Sequence, residues 1–367
     1  MLRIDRRLLA HFDWGLLASA LLVIGCGLAT VLSATHSDKH LISGLLLRQG
    51  MWAGLGLVGM LVAVSFDYHL LERYGYFFYG AAVVLLAATA VMGSSGGGAR
   101  RWIALGPFSL QTSEFAKLAL AVALARNLHR QVGDRPLAVR ALLVPVLLLA
   151  PPAVLILKQP DLGTVVVLAL TVASVLLVAG LRLRLVVVLA AVLVPAVPHI
   201  WHHLKPYQQR RVMTFIDPQA DPLGSGYHII QSKIAIGSGM LEGKGFLHGT
   251  QNRLNFLPEQ HTDFIFSVFA EEWGFVGAGV LVCLYTALLL RCFMVAARAR
   301  DAFGVLLAFA LTAMIFCQVL VNVGMATGSL PVVGITLPFF SYGGSSLLAS
   351  MIGVGLLLNI SMRRFTF

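Results

Sequence analysis

The sequence predicts an all-α polytopic membrane protein of about ten transmembrane helices, with both termini cytoplasmic and one large extracytoplasmic loop between helices 7 and 8. Three observations predict it. Apolar types make up 58% of the 367 residues and charged types 12%, against about 25% charged in an ordinary soluble domain. Mean hydropathy is +0.85. A soluble fold could not hide that much apolar surface, because nearly half of a folded surface is polar. The basic residues, lastly, are distributed unevenly. With both ends inside, cytoplasmic segments hold 15 of the 27 Lys and Arg, and the short outer loops hold five (Lys39, Arg48, Arg100, Arg101 and Lys158). Loops that stay inside carry such an excess, and it accounts for the net charge of +11 without nucleic acid.

A bilayer is crossed by about 20 apolar residues in a helix. Candidate runs lie at 14–33, 45–66, 76–92, 115–125, 141–157, 164–180, 185–200, 264–290, 303–325 and 347–360. The first follows Arg3, Arg6 and Arg7 and is too long for a cleavable signal core, so it is expected to be retained. The fourth is short unless Ser113–Lys117 extends it. The fifth and seventh carry Pro145, Pro151, Pro152, Pro195 and Pro198. Each proline frees a carbonyl one turn back, which a neighbouring helix must satisfy. The chain reads as a single integral membrane domain, 1–367, with its extracytoplasmic loop at about 202–262. Cys26, Cys283, Cys292 and Cys317 lie in or beside apolar runs with no metal or redox spacing. The histidines are scattered, which gives no zinc pattern.

The polar residues gather on the outer side. Asp263 lies where the long loop enters the eighth run. It reads either as a general base for a substrate hydroxyl or as a helix N-cap, which Asp and Thr262 both favour. Glu114 and Lys117 are three apart and share a helix face. They are either a site in the membrane or an ion pair that only makes its own burial tolerable. Arg101, Arg210, Arg211 and Lys233 belong to a cationic outer face suited to a diphosphate; for each alone, attraction to lipid headgroups is the plainer reading. Lys233 sits in an amphipathic stretch with Ile229, Ile230, Ile234 and Ile236 that could lie in the interface. Glu271 and Glu272 fall inside the eighth run and need partners.

Longer motifs add a resemblance. Arg211 to Pro218, Asp221 to His228, Gln231-Ser232-Lys233, Gly245 to Gln251 and Phe256 to Phe264 resemble the SEDS family, and its elongation branch more than its division branch. The resemblance covers nearly the whole chain. It implies a peptidoglycan glycosyltransferase of the bacterial cytoplasmic membrane that polymerises lipid II, with an essential aspartate at Asp263. Glu114 and Lys117 would sit near the donor or acceptor groove. Arg101, Arg210, Arg211 and Lys233, by their charge, and Glu259 and His261, by their place in the motif before Asp263, are the further candidates for substrate binding. The resemblance also implies a class B penicillin-binding protein as transpeptidase partner, and other membrane proteins of the elongation complex. Two departures stand out. Thr112 occupies a position usually held by proline, and Met240 one usually held by glycine. Met240 suggests that no positive φ is needed there.

The expected chemistry is inverting transfer from a polyprenyl diphosphate to a sugar hydroxyl. Helix-terminal amides near Asp263 would keep its pKa low. No cofactor is implied, and a divalent cation on the diphosphate is the one candidate ion. Two other readings use the same residues: a lipid II flippase, and a non-catalytic scaffold of the elongation machinery. A transporter would hold its substrate near the bilayer midplane, whereas here the polar motifs gather at the outer face.

Overall fold

The computed structural model describes residues 11–35, 43–96, 99–106, 108–131 and 139–182, isolated positions between 184 and 202, and 206–364 apart from Leu223, Ser225, Asn255 and Pro258. It is mostly helical. The first three helices are α1 (Trp14–Ala34), α2 (Gly44–Ser65) and α3 (His69–Met92). An antiparallel sheet follows, β1 (Ser94–Gly96), β2 (Ala99–Leu105) and β3 (Phe108–Gln111), leading straight into α4 (Thr112–Leu128). Then come α5 (Leu143–Lys158), α6 (Leu162–Val178), and three short helices, α7 (Pro206–Ile216), α8 (Tyr227–Ser238) and α9 (Thr250–Arg253). The chain closes with α10 (Ile265–Arg298), α11 (Ala302–Ala326) and α12 (Gly344–Arg363). Among the described residues seven helices are long and apolar enough to cross a membrane. Nine of the ten expected runs fall on helices; the run at 185–200 lies outside the described residues except for isolated positions.

Helices α4, α11 and α12 form the centre, and their side chains are buried along most of their length. α2 packs along α12, α3 along α4, and α10 against α1 and α11. The outer helices turn apolar faces away from the bundle, where Leu61, Phe77, Val84 and Phe275 are all more than half exposed. That inversion of the soluble pattern fits a lipid surround. Burial of α4 explains its length: it is 17 residues long and carries Glu114 and Lys117, which only a protein-lined position tolerates.

The prolines of this run predict kinks, but α5 stays continuous through Pro151 and Pro152. Pro152 has no N–H for the carbonyl of Leu148, and the Tyr79 hydroxyl on α3 donates to that carbonyl at 2.7 Å.

The eighth run differs from expectation. α10 breaks at Gly274, whose φ of 62° and ψ of −164° are not helical. A Cβ there would lie 2.4 Å from the Gly243 nitrogen, so only glycine fits. The break frees backbone groups, and residues 240–245 pair with them. Phe275 N–H donates to Met240 O (2.8 Å) and Val276 N–H to Leu241 O (3.1 Å). Lys244 N–H and Gly245 N–H donate to the carbonyls of Glu271 and Glu272 (3.0 and 2.9 Å). Met240 does take a positive φ, 48°. The loop must turn there to reach the break, so an ordinary side chain carries the left-handed conformation.

Glu271 finds its partners in residues 244–251, and Glu272 finds one on α1. Glu271 is fully buried and accepts from Lys244 Nζ (2.6 Å), Thr250 N–H (2.9 Å), Thr250 Oγ1 (3.0 Å) and Gln251 N–H (3.1 Å). Glu272 accepts from the Ser33 hydroxyl of α1. α8 is docked rather than floating. Ser232 shares a hydrogen bond with Ser267 of α10 (2.6 Å) and donates to Ala326 O of α11 (2.6 Å).

Removing Glu271 would take the acceptor from four donors and leave Lys244 with the Thr250 hydroxyl (2.7 Å) but no carboxylate. Glu271→Ala is expected to destabilise the protein by about 3 kcal/mol, read as a lower Tm in detergent, and to open 240–251 to protease. Lys244→Met combined with Glu271→Met should regain part of the loss. Unchanged melting of Glu271→Ala would show that the loop is held by its backbone pairs alone.

Candidate functional site

A polar cavity of about 420 Å³ opens where the β2–β3 hairpin, the starts of α4, α6 and α12, α7 and the irregular segment 328–343 meet. Asp263, Glu259, Glu114, Lys117, Arg101 and Arg211 all line it. Residues far apart in sequence thus share one space.

A tight turn presents Asp263. Glu259, at φ 51°, accepts at its carbonyl from the N–H groups of Thr262 (3.1 Å) and Asp263 (3.2 Å). The Thr262 hydroxyl donates to the Glu259 carboxylate at 3.0 Å. Asn322 of α11 fixes the next atoms: its Nδ2 donates to Asp263 O (3.0 Å) and to Ile335 O (2.6 Å). Ser341 Oγ donates to Thr262 O (2.6 Å), and Tyr342 N–H to His261 O (2.8 Å). The Asp263 side chain is not the helix cap, since the N-cap position of α10 is Phe264. It is left facing the cavity.

Its acidity also departs from expectation. Burial, then the neighbouring Glu259 and Asp161 charges, push the Asp263 carboxyl up to about 6, and Arg101 and Arg211 offset this only in part. Desolvation and like charge outweigh the nearby helix amides. A base of this strength is ionised at neutral pH and still accepts a proton readily.

Glu114 and Lys117 form a buried ion pair of 2.9 Å at the start of α4, and both face the cavity. The pair offsets its own burial and also lines the cavity, so neither sequence reading is overturned. Arg101 spans the rim. Its Nε donates to Gln159 O (2.8 Å) and its second arm to Pro160 O (2.6 Å), which latches the hairpin to the α5–α6 elbow. At the other edge Gln111 N–H donates to Ser345 Oγ (2.8 Å) of α12.

Other sequence candidates stand elsewhere. Arg210 and Lys233 are exposed and outside the cavity lining. His261 also lies outside the lining; it meets the site through its carbonyl and stacks edge-on to Tyr342. Burial lowers the His261 pKa, against the Glu259 charge. Several residues were not among the site candidates read from the sequence. Asp161 caps α6, accepting from Thr164 N–H (3.2 Å) and Thr164 Oγ1 (2.9 Å), and lines the cavity. Gln318 of α11 is 1% exposed, lines the cavity and leaves its Oε1 without a partner. Trp52, Trp102 and Tyr342 add aromatic walls. An Asp three residues before a Thr at a helix start was a readable cap signal for Asp161; a glutamine inside an apolar run was the one clue to Gln318.

The lining is not net cationic. Three cations, Arg101, Lys117 and Arg211, face four carboxylates, Glu114, Asp161, Glu259 and Asp263. Among the described residues no three His, Cys, Asp or Glu side chains converge as metal ligands. A divalent ion on a diphosphate would thus take its place from the substrate more than from the protein.

The chain resembles known proteins along its length. It is 42% identical over 355 residues to the peptidoglycan glycosyltransferase MrdB of Escherichia coli K12, covering 96% of this chain and 94% of that one. It is 34% identical over 429 residues to the peptidoglycan glycosyltransferase RodA of Treponema pallidum, covering 97% and 98%. Among solved structures, a chain of a peptidoglycan synthase complex that coordinates polymerization and crosslinking superposes with a TM-score of 0.84 at 37% identity, covering 97% of this chain and 99% of that one. The rod shape determining protein RodA of Thermus thermophilus superposes with 0.72 at 34% identity, covering 97% and 98%. Residues 13–365 match the FtsW/RodA/SpoVE family, described as cell cycle protein, and the chain belongs to that family.

Proposed function

We propose that the protein is a peptidoglycan glycosyltransferase that polymerises lipid II during cell elongation, with Asp263 as general base. The observation that carries this reading is a carboxylate held at about 6 by burial, fixed by Asn322 through its own carbonyl, and set in a cavity with Arg101, Lys117 and Arg211. The donor sugar arrives on a polyprenyl diphosphate. The acceptor hydroxyl gives its proton to Asp263 as its oxygen bonds to the anomeric carbon, and the electron pair of the broken bond leaves with the diphosphate. One displacement inverts that carbon. Arg211 and Arg101 are placed to meet the growing negative charge of the leaving group. Glu114 and Lys117 hold the substrate from the α4 side.

The protein spans the cytoplasmic membrane ten times with both termini inside, and its site faces outward. The charge asymmetry of the loops and the seven long apolar helices support this. A class B penicillin-binding protein cross-links the product; the likeness to a chain of a synthase complex that couples polymerization to crosslinking supports such a partner. Other elongation-complex membrane proteins join them.

Asp263→Asn keeps size and removes the proton acceptor. Glycan formation from lipid II by the purified complex should fall about 10²-fold or more. The wild-type rate should fall about tenfold for each unit below pH 6, as Asp263 protonates. Stability moves the other way. The folded protein holds this carboxylate above its unfolded value, so ionisation costs stability as pH rises from about 4 to 6, and the cost is constant above that. Asp263→Asn should therefore stabilise the protein at pH 8 by on the order of 3 kcal/mol, read as a higher Tm, and hardly change it at pH 4. Normal chains from a folded Asp263→Asn protein would remove the catalytic assignment and favour a flippase or scaffold.

Glu114→Gln combined with Lys117→Met removes the ion pair without leaving a lone buried charge. The double variant is expected to melt normally and stay inactive. Recovery of activity relative to either single variant would reduce the pair to a packing device.

In a cysteine-free background, a cysteine at Gln219 should react with an impermeant thiol reagent added outside intact cells, and one at Gln131 should not. The opposite pattern would invert the orientation.

A further inference from the structure

A second cavity, about 290 Å³, lies beside the first, and Arg211, Glu259, Asp263 and Gly334 line both. Its own walls are Thr214, His228, Ile229, Phe264 and Val332. Gly334 keeps the shared wall thin. Its φ is 74°, and a Cβ there would stand 3.3 Å from Asp263 Oδ2. The carboxylate is therefore reachable from two sides.

Inverting displacement needs such a place. The incoming oxygen and the leaving diphosphate stand on opposite sides of the anomeric carbon, so the two substrates occupy separate spaces that meet at the base. The two cavities differ in chemistry. Arg101 and Lys117 belong to the first alone, and Arg211 is shared. The walls belonging to the second alone carry no cation and no carboxylate, but offer a hydroxyl, an imidazole and apolar faces. Those are the groups that bind a neutral sugar ring. His228 also has a nitrogen to offer. Its ring stacks parallel on Phe264, centroids 6.1 Å apart, and its buried Nδ1 has no hydrogen-bond partner. Nδ1 is shut off from the cavity, so Nε2, which is not buried in this way, is the nitrogen that can meet a ligand. Burial lowers the His228 pKa, against the Glu259 charge, so the imidazole is neutral at pH 7. A neutral imidazole has one donor and one acceptor nitrogen, and a sugar hydroxyl suits either.

We infer that the second cavity is the acceptor subsite, where His228 hydrogen-bonds the acceptor sugar so that its reacting hydroxyl reaches Asp263, while the diphosphate-bearing donor occupies the first. This rests on the reading of Asp263 as general base. His228 touches substrate but moves no proton in the reaction; it positions.

The test is a single coupling by the purified complex between two lipid II analogues. One has its acceptor hydroxyl capped and serves only as donor. The other carries a non-leaving linkage in place of the diphosphate ester and serves only as acceptor. His228→Leu should raise KM for the acceptor analogue about tenfold, with kcat and the donor KM within twofold of wild type. His228→Gln, which keeps a hydrogen-bonding group, should recover most of the loss. Val332→Trp, which fills the cavity from another wall, should raise the acceptor KM even where His228→Leu folds poorly, and melting curves identify that case. An unchanged acceptor KM in both His228→Leu and Val332→Trp, or a raised donor KM alone, would overturn the assignment. Asp263→Asn run alongside keeps the two ideas apart. If it couples normally, the general-base reading fails; if it is inactive and the acceptor KM ignores His228 and Val332, only the subsite fails.

Discussion

The side-chain amide of Asn322 ties together the two stretches of irregular backbone from which the site is made. One Nδ2 reaches the carbonyl of Asp263 before α10 and that of Ile335 between α11 and α12. Backbone outside a helix must find partners inside the protein when water is scarce. Ser341 and Tyr342 add bonds to Thr262 and His261. The outcome is a carboxylate whose main chain is held on both sides and whose side chain is left for chemistry. Rigid placement of this kind is what a proton transfer in the transition state needs.

Burial gives Asp263 its basicity, and it also sets a limit. The same surroundings that raise its pKa, Glu259 and Asp161, make the cavity carry more carboxylates than cations. A diphosphate entering there gains less from net charge than from the placing of Arg211 and Arg101. Arg101 already spends two of its N–H groups on Gln159 and Pro160. Its charge is therefore fixed in space before substrate arrives, and little reorganisation remains to be done.

Much of this was legible in the sequence, for physical reasons. Runs of about 20 apolar residues have few alternatives to a helix in a bilayer, so α1, α2, α11 and α12 end within a few residues of where composition places them. Asp263, Glu114 and Lys117 were legible because a charge beside or within such a run demands a reason. What escaped was nonlocal. The β1–β3 sheet depends on Trp102 pairing with Gln111 around a turn at Gly106. Asp161, Gln318 and Tyr342 join the site through helix packing, which no local pattern records. Arg210 and Lys233 show the converse: charge alone placed them at the site, and α7 and α8 turn them outward. Met240 was read from the side chain its position usually lacks, whereas the pairing of 240–245 with the break in α10 decides its φ.

The break at Gly274 also bears on depth. Residues 275–298 of α10 number 24, which at about 1.5 Å each gives roughly 36 Å of helix, more than the hydrocarbon thickness of about 30 Å. That stretch can cross the bilayer unaided. In the proposed orientation residues 265–273 would stand as a pedestal at the depth of the lipid headgroups, with Asp263 at its top. A polyprenyl chain could stay dissolved in the leaflet while its diphosphate and sugars rise to the carboxylate. Transfer would then proceed without any sugar entering oil, and the protein would need no step that lifts its substrate out of the membrane.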